Sequence, residues 1–313
     1  VLAALEAIRT MNEHDVQTRA PEEIVMWTNE EGSRIAPAMI ATGVFAGLFE
    51  KDWAWSRSDS DGKSLGDELE RIGYRGEEKC GEHPMTALLE AHIEQGPILE
   101  KAENQIGVVI GGQGTRWFDI TVSGQDSHAG STPMAGRRDA LVAASRLIQA
   151  VQDIALDFKP DGVGTVGEMR VLPNSRNTIP GEIFLTVDIR HPDDPALEDM
   201  ATRLAGELEK LREIPGIDIR CEEIWHNPAV KFDEKCIAAV SGAAESLGYT
   251  NQRIVSGAGH DACQVCRIVP TSMIFVPCEG GLSHNEEEHA ESADLEAGCN
   301  VLLHAMLELA GNS

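Results

Sequence analysis

The sequence predicts an α/β protein whose main domain, a mixed sheet flanked by helices, is interrupted by a smaller α+β domain with a four-stranded antiparallel sheet. Its 313 residues, 42% of them hydrophobic, suffice for a large core and two domains. Thirty glycines and an aromatic content of only 4% are typical of α/β proteins rather than fibrous or disordered ones. Over roughly a hundred residues the pattern runs strand, helix, strand, strand, helix, strand, which favours one antiparallel sheet with helices on it.

The main domain begins with apolar residues at helical spacing over residues 1–11. No initiator methionine and no capping residue precede them, so we expect the chain to start inside a helix of a longer, N-terminally truncated protein. The apolar and β-branched run 24–28 predicts a short buried strand. The other elements expected in this domain are a short helix at 65–72, a helix or strand at 85–100, a helix after residue 233, a strand at 271–276 and a final helix.

In the inserted domain, residues 117–123 alternate in polarity as a strand does, and 138–151 have the spacing of an amphipathic helix. Strands at 164–171 and 182–190 and a charged amphipathic helix at 197–214 follow. We therefore assign residues 1–114 and 220–313 to the main domain and 115–219 to the insertion.

The charge of the chain restricts its partners. It has 52 acidic and 26 basic residues, a net charge of −26, which repels phosphate backbones and anionic lipid surfaces. No apolar run approaches the ~20 residues that span a bilayer. Nucleic acid and membrane partners are therefore not expected.

The seven cysteines are an odd number scattered along the chain, which favours a reducing, cytoplasmic location over a disulfide framework. Cys263 and Cys266 have CxxC spacing but lack a second pair at zinc-ribbon distance. Burial on a helix is the favoured interpretation, and a structural zinc or redox role is the alternative.

The acidic pair Glu30–Glu31 directly follows the predicted strand 24–28 and precedes Gly32. Neighbouring residues on extended backbone point to opposite faces, so one carboxylate can bind a cation while the other handles a proton. The alternative is a solvated acidic turn, because Asp and Glu are mostly exposed.

Two histidines lie where apolar sequence gives way to a glycine-containing loop: His92 in HIEQG and His284 in GGLSHN. Open α/β sheets place ligands at such points. Imidazole together with a carboxylate suits Zn, Mn, Co or Ni. A single histidine is otherwise more often a core or surface residue.

Polar residues of the inserted domain could bind an anionic substrate. Arg190 and Asn177 can hold a carboxylate through a guanidinium fork and an amide. The alternatives are an Arg190 paired with Asp188 or Asp193 and an Asn177 that caps a turn. His128 lies in a small-residue turn, where local hydrogen bonding is the simpler interpretation.

Two glycine-containing turns were considered as ligand-binding sites. Gly259 and His260 stand in a turn that feeds a helix, where backbone N–H groups can face an anion. The GGQG segment at 111–114 lacks the spacing of a dinucleotide site and is dismissed.

Seven motifs in order carry a resemblance to a known family: TNEEGSR, AHIEQGP, DSHAGSTPMAGRRDA, PNSRNTIPG, VDIRHPDD, SGAGHDA and MIFVPCEGGLSHNEEE. They resemble the N-carbamoyl-L-amino acid amidohydrolases, which belong to the dinuclear zinc-peptidase-like amidohydrolases together with β-ureidopropionases and allantoate amidohydrolases. The resemblance extends over essentially the whole chain and implies a zinc-peptidase-like catalytic domain with an inserted dimerisation or lid domain.

For the metals, the resemblance implies two divalent ions, Zn, Mn, Co or Ni. Glu31 and His284 would bind one ion, His92 would bind the other, and Glu30 would be the general base. Family members carry two further ligands, a histidine and a bridging aspartate, ahead of the segment that starts here. The resemblance therefore implies that this chain supplies only part of the metal site.

For the substrate, the resemblance implies that Gln95 and His128 contact the carbamoyl end, with His128 reaching into the partner's site of a homodimer formed through the inserted domain. Asn177 and Arg190 would bind the substrate carboxylate, and Gly259 would supply a backbone contact.

The implied reaction is metal-dependent hydrolysis of the carbamoyl C–N bond of N-carbamoyl-L-amino acids to the L-amino acid, carbon dioxide and ammonia. The enzymatic alternatives are hydrolysis of allantoate, ureidoglycolate or β-ureidopropionate, or an aminoacylase or dipeptidase activity. An inactive dimeric fragment without a complete metal site is the alternative outside the enzymes.

Overall fold

The structure, a computed structural model, describes residues 1–311 and divides into two compact units. The first unit comprises Val1–Gly112 and Lys231–Ser313, and the second is Gln113–Val230. Within the described residues, no helix combines the length and the apolar character needed to cross a membrane.

The helices, in chain order, are α1 Leu2–Glu13, α2 Ile40–Phe45, α3 Lys51–Ser56, α4 Leu65–Arg71, α5 Ile98–Lys101, α6 Ala140–Asp157, α7 Asp194–Arg212, α8 Glu234–Ser246, α9 Asp261–Val265 and α10 Ser292–Ala310, with a 3₁₀ turn at Glu279–Gly281. The strands are β1 Leu88–Ile93, β2 Ile106–Gly112, β3 Gly114–Ser123, β4 Ser127–His128, β5 Val163–Leu172, β6 Thr178–Ile179, β7 Glu182–His191, β8 Asp218–Asn227, β9 Val230–Lys231, β10 Asn251–Ser256 and β11 Thr271–Val276.

The first unit is built on a mixed sheet in the order β1-β11-β2-β10, with β9 added beside β2. Strand β11 runs parallel to β1 and antiparallel to β2, and β10 runs parallel to β2. All six residues of β11 are buried, as expected for a central strand covered on both faces. Helices α8 and α10 pack on it. This is the mixed sheet with flanking helices that the sequence predicts.

The predicted strand at 24–28 is wrong. These residues are irregular in the structure, Met26 is 68% exposed, and no strand of the described chain pairs with them. Trp27 packs instead against Phe45, with ring centroids 5.2 Å apart. An apolar run becomes a strand only where a neighbouring strand takes up its backbone hydrogen bonds. The segment 85–100 resolves into β1 followed by α5, and strands β2 and β10 were not predicted.

The second unit has the predicted four-stranded antiparallel sheet, in the order β5-β7-β3-β8. Residues of β3 and β7 alternate between buried and partly exposed, so one face of the sheet carries the core. The buried faces of α6 and α7 cover it. Each of these helices begins with an aspartate that accepts backbone N–H groups of the first turn, Asp139 in α6 and Asp193 in α7.

The predicted end of the insertion, residue 219, falls inside β8. This strand pairs along its length with β3, and the second unit extends to Val230. Strand β8 lies at an edge of the sheet and most of its residues are exposed or partly exposed, so its sequence lacks the apolar alternation of β7.

Candidate active site

Residues 29–39 form a loop that closes on itself. Asn29 lies at φ 60° and donates its side-chain amide to the carbonyls of Ile35 at 2.6 Å and Pro37 at 3.1 Å. The backbone N–H of Met39 donates to the carbonyl of Glu30 at 2.7 Å. These bonds fix the backbone that carries the Glu30–Glu31 pair.

Two further features fix the 29–39 loop. Gly32 has φ 67°, and a Cβ there would lie 2.5 Å from the backbone nitrogen of Ala38, so only glycine fits. Arg34 reaches away from the pair and contacts carboxylates of two other segments, Asp59 at 2.8 Å and Glu68 at 2.8 Å. The close packing at Gly32 and the ion pairs of Arg34 therefore both hold the loop in place.

The carboxylate pair lies beside two candidate ligands. Glu31 Oε2 is 3.8 Å from His284 Nε2, and both side chains are largely exposed. Glu30 is partly buried, and burial raises its pKa. The charge of Glu31 raises that pKa further, whereas His92 and His284 lower it. Glu30 thus lies within electrostatic reach of all three candidate metal ligands.

His92 is the fifth residue of β1, and its ring has a defined tautomer. Nδ1 lies 2.8 Å from the carbonyl of Ile93, which can only accept a hydrogen bond, so Nδ1 carries the proton. The lone pair of Nε2 is then available to a metal, the arrangement typical of ligating histidines. The ring packs edge-on against His260, with centroids 4.7 Å apart.

A buried polar layer supports this ring. His260 is 1% exposed, and its Nε2 lies 2.9 Å from Ser256 Oγ. Burial, and to a smaller extent the charge of His92, lowers the pKa of His260 to about 3. Burial raises the pKa of Glu90 to about 7 and that of Asp261 to about 7. Asp261 also accepts a hydrogen bond from Thr42 Oγ1 at 2.5 Å.

Glu90 and Asp261 are functional candidates that were not predicted from the sequence. Glu90 stands two residues before His92 on one strand and hence on the same face, which is the signal that points to it. Asp261 directly follows His260 within SGAGHDA.

Gln95 and the loop of His284 are joined directly. Gln95, at φ 59°, donates its side-chain amide to Ser283 Oγ at 2.8 Å. Gly259 is exposed, and a Cβ there would approach the methyl group of Met39 to 3.0 Å, so the missing side chain keeps its backbone accessible beside the acidic loop.

The donor chemistry of Glu31, His92 and His284 suits a divalent ion of the zinc or manganese type. Within residues 1–311, however, no three His, Cys, Asp or Glu side chains are grouped closely enough to hold an ion. The structure brings Glu31 and His284 to 3.8 Å from each other, and the charge of His92 acts on the neighbouring Glu30. The three residues therefore fit parts of metal sites rather than one closed cage.

In the second unit, His128 and Asn177 are neighbours. Strand β4 pairs with β6 so that His128 is opposite Thr178. The N–H of Ala129 donates to the carbonyl of Asn177 at 2.8 Å. Two candidate residues that are distant in sequence are thus joined by one short antiparallel ladder.

The ring of His128 is exposed, yet its tautomer is set. Nδ1 accepts the backbone N–H groups of Gly130 and Ser131, each at 3.1 Å. An accepting Nδ1 leaves the proton of the neutral ring on Nε2. His128 therefore presents an N–H donor on the far side of its ring from the turn.

Arg190 makes the ion pair that its alternative interpretation predicted. Nε lies 3.0 Å and Nη2 2.7 Å from the two carboxylate oxygens of Asp188, two residues earlier on β7. A ligand carboxylate that binds this guanidinium shares it with Asp188.

The fold and these residues define the class. The chain belongs to peptidase family M20/M25/M40, which it matches over residues 1–308, and it is a hydrolase. Members of this family generally use divalent metals.

Particular relatives are close in sequence. The chain is 49% identical over 310 residues to the N-carbamoyl-L-amino-acid amidohydrolase of Rhizobium meliloti, covering 99% of this chain and 74% of that protein. It is 33% identical to the allantoate amidohydrolase of Bacillus subtilis, covering 99% and 76%. Among solved structures, an amidase of the hydantoinase/carbamoylase family from Burkholderia multivorans superposes with a TM-score of 0.96 at 54% identity, covering 99% of this chain and 75% of that one.

Proposed function

We propose that the protein hydrolyses the carbamoyl C–N bond of N-carbamoyl-L-amino acids, releasing the L-amino acid, carbon dioxide and ammonia. The observation that carries the proposal is the carboxylate pair Glu30–Glu31 set beside His284 and His92, in a chain 49% identical to a named N-carbamoyl-L-amino-acid amidohydrolase.

Two divalent ions complete this proposal. Glu31 and His284 would hold one and His92 the other, and Zn, Mn, Co and Ni all suit these donors. When bound, such ions polarise the carbonyl oxygen under attack and make the attacking water more acidic.

Glu30 is proposed to transfer the proton. Its carboxylate accepts a proton from the attacking water and returns it to the leaving nitrogen. The closed loop around Asn29 supports this role because it holds the backbone of Glu30 in place while the side chain transfers the proton.

Substrate recognition is proposed for five residues. His128 donates its Nε2–H to the carbamoyl oxygen as negative charge develops there, and Gln95 contacts the same end. Asn177 and Arg190 bind the carboxylate, with Arg190 sharing its guanidinium between Asp188 and the substrate. Gly259 contributes a backbone contact.

The quaternary state and location are also proposals. We propose a homodimer formed through the inserted domain, in which His128 serves the site of the partner subunit. A cytoplasmic location remains a prediction from the cysteine count.

The second candidate function is allantoate hydrolysis, which the 33% identity to the Bacillus subtilis enzyme favours. Hydrolysis of ureidoglycolate or β-ureidopropionate, or an aminoacylase or dipeptidase activity, would use the same groups. The candidate outside the enzymes is an inactive dimeric binding protein with an incomplete metal site.

A short substrate panel tests these candidates. N-carbamoyl-L-methionine, N-carbamoyl-β-alanine, allantoate and N-acetyl-L-methionine are each assayed with added Mn, Co or Zn. We expect the highest kcat/KM for N-carbamoyl-L-methionine, and a higher value for any of the other three would replace the proposed substrate class. Elemental analysis in parallel should find bound metal, whereas no metal after soaking and no turnover would support the inactive protein.

A further inference from the structure

The turn that follows His128 is held by one arginine. Arg137 is partly buried, and its Nη2 donates to the carbonyls of Ala129 at 2.7 Å and Thr132 at 2.8 Å. Its Nε lies 3.2 Å from the same Thr132 carbonyl. A guanidinium presents its donors in a fixed planar fork, so a single side chain can tie both ends of the turn.

The same turn holds the ring of His128. Gly130 and Ser131, whose N–H groups donate to Nδ1, lie between the two carbonyls that Arg137 binds. The N–H of Thr132 also donates to the carbonyl of His128 at 3.1 Å. The positions of the two donors to Nδ1 therefore depend on a turn that the guanidinium braces.

We infer that Arg137 is a positioning residue: by bracing the 129–132 turn it keeps Nδ1 of His128 an acceptor and so keeps the Nε2–H donor present and aimed. The inference rests on the oxyanion role proposed for His128. Arg137 acts through the turn and binds neither the substrate nor the metals. Without the brace the two backbone N–H groups drift from Nδ1, the ring populates both tautomers, and part of the protein presents no donor at Nε2.

The neighbouring Arg138 supplies a matched control. It has the same side chain and charge and the next position in the chain, but it is exposed and its side chain lies over Gly216 rather than the turn. A Lys substitution at either position retains the charge, but only the one at Arg137 removes a guanidinium fork from the turn.

Steady-state kinetics of the full enzyme are the first test. Arg137→Lys should lower kcat for N-carbamoyl-L-methionine by about 10- to 100-fold, as is typical when the residue that orients a catalytic group is lost, with KM nearly unchanged. Arg138→Lys should match the parent in both. Arg137→Gln, whose shorter and uncharged side chain cannot reach both carbonyls, should lose at least as much kcat as Arg137→Lys. An unchanged kcat in Arg137→Lys, or an equal loss in Arg138→Lys, overturns the inference.

A spectroscopic readout separates this inference from the proposed function. In protein labelled with ¹⁵N-histidine, the resonances missing from His128→Asn identify the ring. We expect an unprotonated Nδ1 and a protonated Nε2 in the parent and in Arg138→Lys, and averaged tautomers in Arg137→Lys. Parent-like shifts in a folded Arg137→Lys overturn the inference whatever the substrate proves to be. Full activity in His128→Asn would instead refute the role of His128 and leave the tautomer result standing.

If Arg137→Lys does not fold, as judged by circular dichroism, Arg137→Gln takes its place in both measurements. Added guanidinium ion should then restore part of kcat in Arg137→Gln and leave Arg138→Gln unaffected. Failure of rescue together with parent-like histidine shifts would count against the inference.

Discussion

Replacing Glu30 by glutamine separates the two members of the acidic pair. The amide has the shape of the carboxylate but cannot take a proton from water. The bonds that fix the loop run through the Glu30 carbonyl and the Asn29 side chain, so Glu30→Gln leaves them intact. Glu31 and His284 stay 3.8 Å apart, and His92 keeps its bond to the Ile93 carbonyl.

The size of the effect follows from these contacts. Since the loop and the candidate ligands are untouched, the loss is that of proton transfer alone, typically 10²- to 10⁴-fold. At 1.36 kcal/mol for each factor of ten this corresponds to about 2.7 to 5.4 kcal/mol of transition-state stabilisation. Metal content should be retained, because Glu30 is not one of the proposed metal ligands.

The assay measures kcat and KM on N-carbamoyl-L-methionine and metal content by elemental analysis, for Glu30→Gln and for the matched Glu31→Gln. We expect Glu30→Gln to keep its metal and lose kcat, and Glu31→Gln to lose both. Activity within tenfold of the parent in Glu30→Gln would refute the general-base assignment. Loss of metal in Glu30→Gln with retention in Glu31→Gln would show that the two roles are exchanged.

Three further predictions concern recognition, core packing and pH. Arg190→Ala should raise KM for substrates with a free carboxylate by about 10- to 100-fold, because a hydrogen bond to a charged group contributes roughly 1.5 to 3 kcal/mol; an equal loss on carboxamide analogues would contradict carboxylate recognition. Leu147→Ala, at a 0% exposed position of α6, should lower the unfolding free energy in urea by about 3 to 5 kcal/mol, whereas Leu156→Ala, 45% exposed on the same helix, should change it by under about 1 kcal/mol. Burial raises the folded pKa of Asp261 from 3.8 to about 7, so between these values the folded state binds more protons than the unfolded state and stability falls as pH rises. In metal-free protein, thermal unfolding from pH 4 to 8 should show a shallower fall for Asp261→Asn than for the parent, and parallel curves would contradict this assignment.

The second unit was the more predictable part of the fold. Strand β7 and helices α6 and α7 carry apolar residues at the spacing of their elements, because each has one face on the core. The bounds of β8 were not predicted, because it is an edge strand with few buried positions. Near the N-terminus, the run 24–28 has the composition of a strand, and composition alone does not supply a pairing partner.

For the candidate site, the sequence proposes residues and their roles but does not predict the surroundings of those residues. The closeness of Glu31 to His284, more than two hundred positions apart, followed from the family motifs and not from any local pattern. The pKa values of Glu90 and Asp261 are set by burial, which arises only when distant segments pack together. Arg137 was not among the candidate residues, because a hydrogen bond to backbone carbonyls leaves no signature in residue types.

The pairing of β3 with β8 explains how one domain can be inserted into the sequence of another at a small entropic cost. Thr115 lies opposite Asn227, so the chain enters and leaves the second unit through adjacent strands, with Cα atoms on the order of 5 Å apart. An unfolded loop of about a hundred residues would cost the host roughly 4 kcal/mol of closure entropy. Once folded, the second unit keeps its own two ends together, so for the first unit it replaces a long loop with a short connection. The order in which the two units fold therefore decides whether the first unit or the second loses the loop-closure entropy.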